Sequence, residues 1–294
     1  MHVHNTMAPF AMSSSTGVCN TSAQSRAVPY QDGELRGLCL ADYAHLRLRQ
    51  IPWNTLNSQP HDQYAVVKSS NTRLVVSFDF QNAAGISERL YAKRCRVRNF
   101  KKALGSLFVS SKAKREWRLG HQLLAASIPT AVPLIYAERR AGGLLKEHYL
   151  VTRHVAGTTS LYDLLQENRS AQEKRALLSA LAEFLSSLHG RGFYHDDFSS
   201  HHILISRSTD VRPEFRFFII DLDHCRIGRR ISARQQRKNF FQIFRSLSFP
   251  ALGKKDRVRF LRLYFGPDLS ERMLRRLLWR INRIAKRKGE PKCF

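Results

Sequence analysis

The sequence predicts an α+β protein of two lobes, an antiparallel β-rich N-terminal part and a mainly helical C-terminal part. Two patterns point there. Three runs of β type, YAVVKSS, TRLVVSFDF and ERLYAKRC, follow one another from Tyr64 to Cys95, whereas beyond Ser160 apolar residues recur mostly at helical spacing. The third observation is size: 294 residues with 43% hydrophobic side chains suffice for one large domain or two lobes.

Taken in order, residues 1 to about 33 are rich in Ser, Thr, Ala and Gly without periodicity, and are predicted to be a flexible tail. Residues 34–155 then form the first lobe and 156–294 the second. Leu35 to Ile51 is a mixed segment expected to hold a short helix before Pro52. The first two β runs meet at a turn around Ser70 and Asn71, and QNAAGIS joins the second to the third, so the three read as a meander. Ser111 to Ala125, containing KREWRLGHQLL, has a helical apolar face carrying Trp117 and Leu124. Pro129 breaks it, a strand runs to Tyr136, Gly142-Gly143 turns the chain, and His148 to Val155 is another β run. Ser160 is placed to cap the helix that begins LYDLL, and the boundary between the lobes is expected near His154 to Gly157. Ala171 to Leu188 is amphipathic, Asn239 to Leu247 lies in a helix, and two more helical patterns fill Lys254 to Lys288.

The stretch with chemistry in it is GFYHDDFSSHHILI, Gly192 to Ile205, followed by the apolar run Phe217 to Ile220 that ends in Asp221-Leu222-Asp223. A helix delivers the chain to a turn holding His195, Asp196 and Asp197, and a short strand carries it away. This resembles the catalytic loop of protein kinases, H-x-D-x-x-x-x-N and then a strand ending in a metal-binding Asp. The matching positions are His195, Asp197, His202 and Asp221. Phosphoryl transfer needs one carboxylate to orient a hydroxyl and take its proton and a second to hold magnesium against phosphate oxygens. Asp197 in the loop and Asp221 at the strand end meet that need from separate supports. His202 stands where most kinases carry Asn, and imidazole suits magnesium less well than an amide oxygen. Taken alone, two Asp and a His at a turn can be turn formers only, and no cysteine pair accompanies His201 and His202 to make a zinc site.

The rest of the nucleotide site follows the same template. Leu90-Tyr91-Ala92-Lys93 is comparable to V-A-I-K, so Lys93 is the candidate phosphate ligand and Glu116 its helix partner; the alternative for Glu116 is a surface pairing with Lys112 or Lys114. A glycine-rich phosphate loop is missing, and Ser70 and Asn71 could offer donors in its place. The fold expected is therefore a bilobal protein-kinase-like fold, with ATP and Mg2+ as its ligands and the base against the His154–Gly157 connection.

Charge narrows the acceptor. Forty-nine Lys and Arg against 23 acidic residues give a formal +26, which calls for a negatively charged partner: nucleic acid, anionic membrane or phosphorylated substrate. Composition does not choose among them. No RNA-binding motif or interleaved aromatic stack favours nucleic acid, and none is expected as a partner. The last helix, MLRRLLWRINRIAKRK, is basic and amphipathic, suited to an anionic membrane or to packing its Leu/Ile stripe into the core. The N-terminus lacks the form of a signal peptide, no run is long enough to span a bilayer, and five irregularly spaced cysteines give no disulfide framework. A cytoplasmic protein, at most peripheral on a membrane, is expected.

Together, YAKRCR with Lys93, KREWR with Glu116, IPTAVPLIYAERR, LVTRHVAGTTSLYDLL, LHGRGFYHDDFSSHHILI and IIDLDHCRI followed by NFFQIFRSL resemble the lipopolysaccharide kinases, the Kdo and core heptose kinases, from about Tyr64 to Leu247. That resemblance implies transfer of the ATP γ-phosphate to a sugar hydroxyl of the lipid A-core, with magnesium, on the cytoplasmic side of the inner membrane. Asp221-Leu222-Asp223 looks like the Kdo kinases and His202 like the heptose kinases, so the acceptor stays open. Asp196 replaces the Arg that reads a phosphorylated activation loop, and no A-P-E follows Asp221, so a peptide-docking platform is not expected. Two other readings remain: a protein or small-molecule kinase of the same fold, and a non-catalytic basic module that binds membrane or nucleic acid.

Overall fold

A seven-stranded antiparallel sheet makes the first lobe of the computed structural model, which describes residues 26–59, 61–167, 170–207, 214–247, 252–267 and 269–294. Its strands are β1 (Ala27–Asp32), β2 (Leu35–Leu40), β3 (Ala65–Ser69), β4 (Arg73–Gln81), β5 (Ser87–Arg96), β6 (Pro133–Ala141) and β7 (Leu144–Arg153), in the order β1-β2-β6-β7-β5-β4-β3. The meander expected from Tyr64 to Cys95 is β3–β5, and β5 sits centrally, with Lys93 opposite Val75 on one side and Leu150 on the other. Period-two alternation sorts β5 into two faces. Leu90 and Ala92 enter a core with Tyr43, Trp53, Val76 and Val151. Tyr91, Lys93 and Cys95 face the opposite way and are half-buried.

That second face is covered by α2 (Lys112–Ala125), which follows the short α1 (Phe100–Gly105). The Ser111 hydroxyl accepts from Lys114 N and caps the helix, and Ala113 and Trp117 pack on Tyr136 and Leu150. Glu116 lies one residue from Trp117 and is buried under the sheet. The alternative surface pairing for Glu116 is thereby ruled out.

One expectation near the start is corrected. Residues 27–33 are not tail but the β1 strand and its turn; in the mixed segment that follows, Leu35–Leu40 is the strand β2, and short 3-10 helices stand at Ala41–Tyr43 and, just before Pro52, at Leu48–Gln50. Gly33, at φ 59°, makes the turn, and Tyr30, Leu35 and Cys39 are buried. The predicted tail over 1–25 lies outside the described residues.

The second lobe starts beyond Arg153 with β8 (Thr158–Ser160) and α3 (Leu161–Gln166), which Ser160 caps through Asp163 N. Next comes α4 (Ala171–Gly190), opened by a Ser170–Glu173 capping box and burying Leu177, Leu181, Leu185 and Leu188. The chain then forms β9 (Tyr194–His195), β10 (Ile203–Arg207), β11 (Phe215–Ile219) and β12 (Cys225–Arg226); β10 pairs with β8 and β11, and β9 with β12. Helices α5 (Ala233–Ser246), α6 (Lys254–Phe265) and α7 (Glu271–Arg287) complete it. Phe240, Phe241, Phe244 and Phe260 are fully buried and join these helices to α4 in one core. α7 buries Leu274, Ile281 and Ala285, so its apolar stripe is core, yet Met273 and Trp279 are 54% and 59% exposed. Among the described residues no helix is long and apolar enough to cross a membrane.

Candidate active site

A cavity of about 540 Å³ lies between the lobes. Val75, Tyr91 and Leu150 line it from the sheet, Leu204, Ile220 and Leu222 from the helical lobe, and Thr152 to Val155 from the connection. Charges gather where β4, β5, α2 and the end of β11 converge. Lys93 Nζ donates to both Glu116 carboxylate oxygens at 2.7 Å and stands 3.7 Å from Asp221 Oδ1. Arg73, on the neighbouring strand, reaches the same Oδ1 at 3.4 Å. Burial opposes the charge on Lys93, but Glu116 and then Asp221 outweigh it and the pKa is raised. Burial likewise pushes the Asp221 carboxyl up, yet Lys93, Arg73 and His202 hold it below its ordinary value. The site therefore presents an ionised carboxylate and two fixed cations to the cavity. Arg73 Nε is buried without a hydrogen-bond partner among the described residues, a donor suited to a phosphate oxygen. Asp221 takes a left-handed backbone, φ 58° and ψ 65°, a conformation that Asp tolerates better than most residues.

The loop from Gly192 to His202 is held from behind. Gly192 has φ +75°, and a Cβ there would stand 2.6 Å from the Arg229 carbonyl oxygen, so glycine is required. His195 is 1% exposed; its Nδ1 accepts from Asp197 N at 3.2 Å, and its ring stacks between those of Phe198 and His202. Burial, followed by the nearby His202, lowers its pKa to about 4, so it is neutral. Asn239 and Gln242, one turn apart on α5, donate to the carbonyls of His195 and Asp196. Asn239 is itself held by His189, whose other ring nitrogen bonds Tyr264 at 2.7 Å. Ser246 accepts from Ser200 N at 2.8 Å. Asp197 is exposed and is not among the residues that line the cavity; its carbonyl accepts from His202 Nδ1 at 2.9 Å. The same imidazole points Nε2 toward Asp221 Oδ2, 3.7 Å away, and so spans the two segments that carry the aspartates.

The model of the lipopolysaccharide kinase (Kdo/WaaP) family matches residues 58–264, most of this chain. The chain belongs to that family. It is 29% identical over 164 residues to the lipopolysaccharide core heptose(I) kinase WaaP of Pseudomonas aeruginosa and 25% to that of Escherichia coli K12, in each case over 54% of this chain. The matches take in 61% and 62% of those proteins, so the chain spans about three-fifths of the length of the curated relatives it matches. A solved structure titled "WaaP in complex with acyl carrier protein" is 25% identical, covers 78% of this chain and 90% of its own, and superposes with a TM-score of 0.57.

In this member of the Kdo/WaaP family the structure joins Lys93, Glu116, Asp221 and His202 as one cluster, with Asp197 beside it. One assignment changes. Ser70 and Asn71 do not line the cavity; they sit in a neighbouring groove with Asn54, Arg94, Arg96 and Arg98, because the β3–β4 turn projects past the cavity edge. The hairpin instead contributes Val67, Lys68, Arg73 and Val75 from its strands. His195, the first position of the H-x-D pattern, is too buried to meet a substrate and braces the loop through the Asp197 N–H. Sequence reasoning missed Arg73, Asn239 and Gln242. Asn239 and Gln242 had a signal, two amides at i and i+3 within an otherwise apolar run of phenylalanine and isoleucine, Asn239 to Phe244, that is buried on every side of the helix.

Proposed function

We propose that this chain is an ATP-dependent kinase that phosphorylates a sugar hydroxyl, heptose or Kdo, of the lipid A-core of lipopolysaccharide at the inner face of the inner membrane. The observation that carries this reading is the bidentate Lys93–Glu116 pair aimed at Asp221 inside an interlobe cavity, the arrangement a nucleotide triphosphate requires. The curated relatives are both named heptose(I) kinases, which favours heptose over Kdo.

The adenine is assigned to the apolar part of the cavity near Leu150, Val155, Leu204 and Ile220. Lys93 and Arg73 bind the phosphate oxygens. Asp221 fits a magnesium ion, since its carboxyl is held in the ionised form where it lines the cavity and an ionised carboxylate oxygen suits a hard cation. Among the described residues no group of three or more possible metal ligands occurs, so phosphate and water would have to complete the coordination of an ion there. When bound there, magnesium neutralises charge on the phosphate oxygens. His202 orients Asp221 and the loop; its nitrogen donors make it the weaker candidate for magnesium itself.

Asp197 receives the proton of the acceptor hydroxyl. The hydroxyl oxygen bonds the γ-phosphorus as the bond to the bridging oxygen breaks, and ADP leaves. His195, through the Asp197 N–H, and Asn239 and Gln242, through the loop carbonyls, fix where that carboxylate stands. The test is incubation with labelled ATP, Mg2+ and purified lipid A-core, beside generic proteins and small alcohols. Label is expected in the glycolipid alone, falling about 10²–10⁴-fold in Asp197→Ala. Label in protein, or normal turnover by that variant, overturns the reading.

A further inference from the structure

Between α5 and α7 runs a groove of about 920 Å³ that the phosphoryl-transfer site does not use. Arg234, Arg237, Lys238, Arg280, Arg283 and Arg287 line it, and no carboxylate among the described residues does. Elsewhere on the surface some arginines have carboxylate partners: Arg89 with Asp79, Arg207 with Glu173, Arg245 with Glu290. In the groove Lys238 alone of these six has a carboxylate within reach among the described residues, Asp196 at 2.6 Å. Burial and the neighbouring Arg280 and Arg234 depress the Arg237 pKa, as expected where like charges crowd.

The groove adjoins the catalytic loop. Tyr194 forms part of its wall, three residues before Asp197, and donates to Asp196 at 2.8 Å. The Lys238 ammonium grips the same carboxylate. Two aromatic rings face the groove. Trp279 has the Arg283 guanidinium 5.2 Å from its centroid, and Tyr194 has the Arg226 guanidinium at 5.3 Å and the Lys238 ammonium at 6.0 Å. Guanidinium groups bind phosphate in a fork, and Trp279, 59% exposed, offers an aromatic face to the apolar side of a sugar ring, whereas Tyr194 is buried and only closes the wall. α7 also exposes Met273, an apolar side chain among cations, as at a bilayer surface.

We propose that this groove binds phosphate groups already carried by the glycolipid acceptor and so directs the acceptor sugar to Asp197. The proposal rests on the kinase reading above and adds where the acceptor is held. An acidic protein surface would match the charge, but the concave groove, the exposed Trp279 ring and the neighbouring loop favour a phosphorylated sugar.

Trp279 is a built-in reporter, because of the three tryptophans Trp53 and Trp117 are 6% and 5% exposed. The full chain is titrated with micelles of a diphosphorylated glycolipid, with the same glycolipid after phosphatase treatment, and with poly-L-glutamate, following fluorescence with Trp279→Phe as control. A response to the phosphorylated micelles at least tenfold tighter than to the other two is expected. In R280A/R283A the KM for the phosphorylated acceptor should rise about tenfold, as loss of ~1.4 kcal/mol of binding gives, with kcat at saturation within about twofold. The KM for the dephosphorylated acceptor should stay level, and R280K/R283K should recover part of the loss. An unchanged KM in R280A/R283A, or an equal response to poly-L-glutamate, overturns the proposal. If the wild type transfers phosphate to neither glycolipid yet Trp279 still selects the phosphorylated micelles, the kinase reading fails and the groove stands.

Discussion

The interlobe cavity and the α5–α7 groove are both rich in cations, but they treat charge in opposite ways. In the cavity Lys93 and Arg73 are answered by Glu116 and Asp221, all four held by strands and a helix within a few ångströms of one another. In the groove arginines face arginines, on exposed helix surfaces, without carboxylates among the described residues. A closed network of opposite charges is pre-organised and rigid, which suits a step whose geometry must not vary. A surface of one sign is incomplete without a ligand and suits capture. On the proposals above, the difference separates residues that set the rate from residues that set acceptor affinity.

Breaking the cavity network should have the largest effect. Lys93→Met leaves Glu116, 4% exposed, buried without its cation, and should cost about 3–5 kcal/mol of stability as well as nearly all turnover. Chemical denaturation of Lys93→Met/Glu116→Leu separates the two losses: stability should return toward wild type while activity does not. Asp221→Asn should be inactive yet folded, because Asn also tolerates the left-handed backbone at φ 58°. A stable, active Lys93→Met would mean that the network is incidental.

The loop anchor comes next. Asn239→Leu removes the donor to the His195 carbonyl and strands His189 in an apolar core, for about 1–3 kcal/mol. Its kcat should fall while the KM for ATP holds, since the amide lies behind Asp197 and away from the cavity. A KM change without a kcat change would place Asn239 outside the positioning of that loop.

Acidification sharpens the comparison, because buried histidines lie behind the Asp197 loop and in the sheet, whereas the groove cations are arginines and lysines. Burial lowers His189, His195 and His148 each to about 4 from an ordinary 6.5. Between those values the unfolded chain binds protons that the folded chain refuses. Stability therefore rises with pH across this window and is lost as pH falls from about 6.5 toward 4, by up to about 1.4 kcal/mol per pH unit for each histidine. Thermal melts from pH 7 to pH 5 should show the decline, with His189→Gln flattening it. The groove arginines keep their charge, so selection of phosphorylated micelles should persist at pH 5 while turnover falls.

How far the sequence was legible follows from the range of each interaction. The β3–β5 meander, the capped helices and the Lys93 strand rest on local periodicity and turn chemistry, and they stand where expected. Lys93 and Glu116 were recognisable because a strand lysine and a helix glutamate leave separate local marks, although their 2.7 Å contact is tertiary. Arg73 could not be read, since its meaning comes from Asp221, 148 residues away. Asn239 likewise acts on His195 across 44 residues. The hairpin at residues 27–40 did carry a signal, Asp32-Gly33 between Tyr30 and Leu35, but the low complexity before it hid the strand. Ser70 and Asn71 were placed by analogy with a glycine-rich loop, and a turn without those glycines has no reason to fold over phosphates.

The smallest effect should fall on the groove, and its sign is informative. Arg280 is exposed, has no ion pair among the described residues and faces Arg237, so Arg280→Ala removes repulsion and no hydrogen-bonded partner. Stability should stay within about 0.5 kcal/mol of wild type or rise slightly, the behaviour of a surface held for binding at some expense to the fold. Raised salt should narrow the difference between the two proteins, because screening relieves the same repulsion in wild type. If Arg280→Ala instead lowers the melting temperature by several degrees, the arginine is holding α5 against α7, and the contrast between a rigid cavity and an uncompensated groove no longer stands.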